Sequence, residues 1–186
     1  FLAPDSARAA ATAGRIARHV EGLRANLHTS APELTRRSCA LAYHEVASGQ
    51  AGLAAQRTRG LRAELEAWAG DSVVRAQPSG RWLFLWHLHV CESVAEAAAA
   101  VARGDSDAET RLEAADAIQR RSPNLGAFGD GLYTEGPNLL LADLWERVGR
   151  IDRAANAVRR ARVRGLRLPL FDEARLLDEL GRTEEA

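Results

Sequence analysis

The chain of 186 residues contains no lysine and no methionine; all 25 basic residues are arginine, against 25 acidic ones, for a formal net charge of zero. Without lysine there is no amine for a Walker-type phosphate loop, a kinase strand lysine or a pyridoxal Schiff base, so those chemistries are excluded. The balanced charge leaves no global field to draw in nucleic acid or an anionic membrane, and neither is expected as a partner. Two cysteines, Cys39 and Cys91, are too few for a disulfide framework. Each falls in an apolar helical pattern, where a free thiol behaves as a small buried hydrophobe. That favours a reducing, cytoplasmic setting, with a periplasmic one after loss of a leader or anchor left open. Long apolar runs are scarce too. The longest, residues 82–91, holds two histidines and is about half the roughly 20 residues a membrane-spanning helix needs. Phe1-Leu2-Ala3-Pro4 lacks the basic region and apolar stretch of a signal peptide.

What is present is ordinary for a globular chain: 46% apolar and 27% charged residues. The length suits one domain or an array of small units. Alanine and arginine abound without lysine, the bias of a high-GC bacterial coding sequence.

Periodicity is helical nearly throughout. Ile16, Val20, Leu23 and Leu27 form one apolar stripe of a helix over 10–27. Ser30 with Glu33 reads as a capping box for a helix over 32–47, closed by Ser48-Gly49. A third helix, over 51–68, is expected to turn Leu53, Leu61, Leu65 and Trp68 inward. The pattern resumes over 81–102, with Trp82, Leu85, Trp86, His89 and Val90 on one face and Gly104-Asp105 as its stop. A helix over 105–121 follows, then an irregular glycine-rich stretch over 122–137, then helices over 138–148, 151–164 and 170–180. No segment reads as a strand. The expected class is all-α, built of antiparallel helix pairs, with a divergent region over 1–121, a connecting loop over 122–137 and repeats over 138–186.

A repeat is visible near the C-terminal end, where residues 144–154 match 176–186 at an offset of 32. In the first copy, Leu141-Ala142 precedes Trp145, Gly149 follows, and Ala154, Val158 and Ala161 come after. This pattern resembles a tetratricopeptide repeat: Ala142 and Ala154 let two helices approach, Trp145 fills the groove between them, and Gly149 permits the reversal. Gly181 is the corresponding turn of the second copy. Weaker echoes are Leu41-Ala42, Gly49 and Ala54, with Glu45 in the aromatic position, and Ala97, Gly104 and Ala108. The resemblance implies an irregular α-solenoid whose first helices line a concave groove. Its groove positions would include Arg36, Cys39, Tyr43, Leu139, Asp143 and Glu146, a mixture suited to a peptide or protein segment. It implies a non-enzymatic protein-binding scaffold without cofactor or metal, from a larger bacterial signalling, regulatory or assembly protein. The absent initiator methionine and the last repeat, ending at Ala186 inside its second helix, agree with a segment of something longer. A structural subunit, or an oligomer, using that edge is the alternative.

Other candidate chemistry is thinner. His87, His89 and Cys91 alternate, but on a helix each two-residue step turns about 200°, so they cannot converge on a metal. His89 and Glu92, one turn apart, make residues 87–92 the site of a helical enzyme in a second alternative. Residues 126–131 imitate a phosphate loop without strand or lysine; Phe128 and Tyr133 are that loop's binding candidates. The arginines at 153, 159, 160, 162, 164 and 167 read as a solvated outer face.

Overall fold

In the computed structural model, residues 6–24, 27–70, 81–121, 135–162 and 178 are described. All regular structure among them is helical: α1 (Ser6–Arg24), α2 (Leu27–Ala47), α3 (Ala51–Gly70), α4 (Arg81–Arg103), α5 (Ala108–Arg121), α6 (Glu135–Arg147) and α7 (Ile151–Arg162). The all-α class agrees with the sequence pattern. Residues 122–134, with Phe128 and Tyr133, and, save for residue 178, the predicted last helix over 170–180 and Gly181 after it lie outside the described residues.

Three connections are built alike. Gly49, Gly104 and Gly149 adopt φ of 79°, 69° and 75°, the left-handed region that a Cβ disfavours. Each glycine N–H donates to the carbonyl three residues back, and the next N–H reaches five back. Gly49 binds Val46 and Gln50 binds Glu45; Gly104 binds Val101 and Asp105 binds Ala100; Gly149 binds Glu146 and Arg150 binds Trp145, all at 2.7–3.1 Å. This is the Schellman ending, which satisfies carbonyls a helix end leaves open. After Gly49 and Gly149 a single residue precedes the next helix, whereas Asp105, Ser106 and Asp107 intervene after Gly104. Ala108 therefore opens its helix, while Ala54 and Ala154 sit one turn inside theirs.

Several boundaries differ from expectation. Ser30 is no cap, because α2 begins at Leu27 and carries Pro32 within it. The proline removes one backbone donor, yet the flanking Ala31, Leu34 and Thr35 are buried and hold the segment helical. Residues 135–137, expected in the irregular stretch, are helical. Pro137 is tolerated there because first-turn N–H groups have no intrahelical acceptor. Leu53 is 42% exposed rather than inward: the buried stripe of α3 runs through Ala51, Ala54, Thr58, Leu61 and Leu65, which leaves Leu53 to one side.

α4 lies at the centre, in contact with α2, α3, α5 and α6. Its second half is buried on nearly every side through Val94, Ala95 and Ala97 to Ala100, small side chains that let four neighbours approach at once. α1 packs on α2, α2 on α3, and α6 on both α5 and α7; α2 also touches α6. One apolar core, including Val20, Leu34, Leu61, Leu88, Leu112, Leu141 and Trp145, runs through the assembly.

Candidate functional site

Of the predicted groove positions, Arg36 and Tyr43 stand on α2, and Leu139, Asp143 and Glu146 on α6, two helices that touch. Asp143 is exposed and pairs with Arg147 at 2.8 Å one turn on; Leu139 and Glu146 are half-buried. Arg36 donates through Nε and Nη2 to Glu33 at 2.8 and 2.7 Å, and Arg37 adds a bond of 2.7 Å. The Arg36 hydrogen bond above all, then Arg37, holds the Glu33 carboxyl at about 2. Tyr43 is half-buried against the core. Cys39 does not line a groove. It is fully buried, with Cys91 of α4 as neighbour, and burial first, then that neighbour, pushes its thiol well above the usual range. Both cysteines are small core hydrophobes.

The positions singled out for packing behave as one register. Ala42, Ala97 and Ala142, each seven residues before a turn glycine, are buried, as are Ala54, Ala108, Ala154 and Ala161 after the turns. Trp145, four before Gly149, is 1% exposed, with the Arg153 guanidinium 5.9 Å from its ring centroid. At the matching place in α2 the sequence offers Glu45. Its buried carboxylate accepts from Arg57 of α3 at 3.1 Å, so an arginine from the following helix covers either side chain.

The His87–Glu92 segment forms a structural tie between α3 and α4. Arg62 Nη1 lies 2.8 Å from Glu92 Oε2 and 3.1 Å from His89 Nδ1, and Arg59 pairs with Glu96. A guanidinium only donates, so in this contact the His89 ring nitrogen is the accepting side. His87 is buried. Burial drives its imidazole down to about 3, which keeps the ring neutral at physiological pH and unsuited to proton transfer there. Burial raises the Glu92 carboxyl, with Arg62 opposing. Among the described residues, no group of three or more His, Cys, Asp or Glu side chains could hold a metal ion.

Charged side chains also span from α5 to α7. Arg150 meets Glu109 at 2.6 Å, Arg153 approaches Glu113 at 3.6 Å, and Arg160 pairs with Asp116. The acids fall at one-turn steps on α5, one face of that helix. Arg160 also donates through Nε to Asn138 of α6 at 3.2 Å. A cavity of about 340 Å³ opens in this seam, lined by Asp116, Arg120, Arg153, Asn156, Arg159 and Arg160. The arginines of α7 thus converge with α5 instead of forming only a solvated face. Sequence spacing could not find Asp116, Asn138 or Arg120 as their companions, since partners 22–44 residues apart obey no local periodicity.

No described helix is long and apolar enough to cross a membrane. Comparison of the chain with protein-family models, with curated proteins and with solved structures finds no match.

Proposed function

We propose that the chain is a protein-interaction domain of stacked antiparallel helix pairs, similar to tetratricopeptide repeats, that binds an extended peptide segment along α2 and α6. The observation that carries this reading is the threefold recurrence of one turn. Gly49, Gly104 and Gly149 share conformation and hydrogen bonding, with a buried alanine seven residues before each. Such turns reverse the chain, and small residues at fixed distances from them let successive helices nest. In this arrangement α2, α4 and α6 are the first helices of three pairs and α3, α5 and α7 the second. α4 contacts both α2 and α6, which supports the order. Because α2 and α6 also touch, the curvature is tight, and the partner lies across a narrow joint surface rather than in a wide trough.

That surface combines Tyr43, Leu139, Asp143 and Arg36, an aromatic and an aliphatic contact flanked by both charges. A peptide with apolar anchors and a basic residue opposite Asp143 fits it best. The test is selection of peptides from a random library on the whole chain, then fluorescence anisotropy of the selected sequence. A Tyr43→Ala/Asp143→Ala double variant with unchanged circular dichroism should bind at least about tenfold more weakly. Equal affinity for wild type and variant overturns the reading.

A further inference from the structure

The chain's two cysteines meet where α2 packs on the central helix. Cys39 stands on α2 and Cys91 on α4, some 50 residues apart in sequence, and the two helices are in contact. The thiols are 1% and 0% exposed and lie within hydrogen-bonding reach of one another. Each belongs to a buried stripe of helical spacing: Thr35, Cys39, Ala42 and Val46 on α2, and Leu88, Cys91, Ala95 and Ala98 on α4. Ala42 and Ala95, one turn beyond the thiols, let the backbones approach. Packed helix axes about 8–10 Å apart, with Cα atoms at a radius of about 2.3 Å, leave roughly 3.5–5.5 Å between facing Cα atoms. A disulfide spans about 4.5–7 Å between such atoms. This sequence holds no third cysteine, so a single intramolecular pairing exists.

We propose that Cys39 and Cys91 form a redox lock: a low-molecular-weight disulfide oxidises the pair to one disulfide that ties α2 to α4. In the first step a thiolate of the pair attacks one sulfur of glutathione disulfide. The reagent's S–S bond breaks, and one glutathione leaves and takes up a proton. In the second step the other cysteine gives up its proton and attacks the protein sulfur of the mixed disulfide. The Cys39–Cys91 bond forms and the second glutathione leaves as a thiol, so two electrons pass from the protein thiols to the reagent. Burial first, then the neighbouring Cys91, keeps the Cys39 thiol well above its ordinary range. The folded pair therefore exchanges slowly, through local parting of α2 and α4. The same burial shields the finished disulfide from reductant. The bond closes a long loop in the unfolded chain and so favours the folded one. It uses the core contact of α2 with α4, so it stands or falls separately from peptide binding.

Equilibration of the reduced whole chain in glutathione buffers of graded redox ratio tests this, followed by acid quenching, alkylation in denaturant and mass spectrometry. The expected product is a monomer that has lost two hydrogens and takes no alkyl label. Trypsin should leave its residues 38–57 joined to residues 82–103, the arginine-bounded peptides that carry the two cysteines. The equilibrium constant for forming the disulfide should be about tenfold or more larger in native buffer than in concentrated guanidinium chloride, because fold and bond stabilise each other by the same factor. The oxidised chain should melt about 5 °C or more above the reduced one, and Cys39→Ala should show no such shift. Two free thiols, glutathione adducts or linked dimers in the most oxidising buffer overturn the proposal. So does a bond that forms no more readily in native buffer than in denaturant, a lower melting temperature on oxidation, or an equal shift in Cys39→Ala. The comparison of native with denaturing buffer uses wild type alone, so it decides the matter even if the variant does not fold.

Discussion

Replacing Gly149 with alanine should destabilise the chain, whereas replacing Gly60 with alanine should stabilise it. A Cβ added at Gly149 would meet no neighbouring atom within 4 Å, and the same holds at Gly60. Crowding by other parts of the protein therefore contributes to neither change, and backbone conformation alone sets the sign. At Gly149 φ is 75°, where an L-residue brings Cβ against its own carbonyl at a cost of roughly 1–2 kcal/mol. Gly60 lies inside α3 without a positive φ, where alanine gains roughly 0.5–1 kcal/mol by restricting the unfolded chain and favouring helix. The two variants should differ by about 1.5–3 kcal/mol, or roughly 3–12 °C in Tm for a chain of this size. Thermal unfolding followed by far-ultraviolet circular dichroism measures the difference. If Gly149→Ala melts with or above wild type, or if both variants shift downward together, the turn does not depend on left-handed glycine as argued.

Trp145→Ala removes one of the largest fully buried side chains and the ring beneath Arg153, so urea unfolding should show a loss of about 3–5 kcal/mol. His87, held by burial at about 3 against an ordinary 6.5, takes up its proton more readily in the unfolded chain. The stability it confers is complete above about pH 6.5 and is lost as pH falls toward 3, and His87→Gln should flatten that acid limb by a few kcal/mol. An unchanged slope would contradict the burial argument. Glu92 has the opposite sign. Its carboxyl is raised by burial, so its contribution is full below the ordinary carboxylate range and is lost as pH rises through the raised value. Glu92→Gln should remove that decline without lowering stability at neutral pH, since Arg62 keeps Glu66 at 3.3 Å; a lower urea midpoint at pH 7 would show that Arg62 depends on the carboxylate.

The parts of the fold legible in the sequence are those governed by local rules. The turn glycines at 49, 104 and 149 were marked by their place after an apolar run, and the structure gives all three a positive φ. The long α4 and its stop followed from spacing alone. The start of α2 did not, because Pro32 reads as an opening residue while burial of Ala31 and Leu34 carries the helix past it on the N-terminal side. Leu53 misled for a related reason: apolarity placed it inward, but the alanines beside it make the closer helix contact. Glu45, a misfit in the repeat pattern, is explained only by Arg57 from the next helix. The α5–α7 pocket was the least legible feature. Arginine density was visible in α7, but the acids that organise it stand on another helix some 40 residues earlier.

The measurement that bears most directly on the interaction domain is amide hydrogen exchange of the whole chain with and without a library-selected peptide. Added peptide should slow exchange on α2 and α6, around Arg36 to Tyr43 and Leu139 to Glu146, and leave α3, α5 and α7 unchanged. Protection confined to α3, α5 or α7, or no protection at saturating peptide, would contradict a binding surface on the first helices of the pairs.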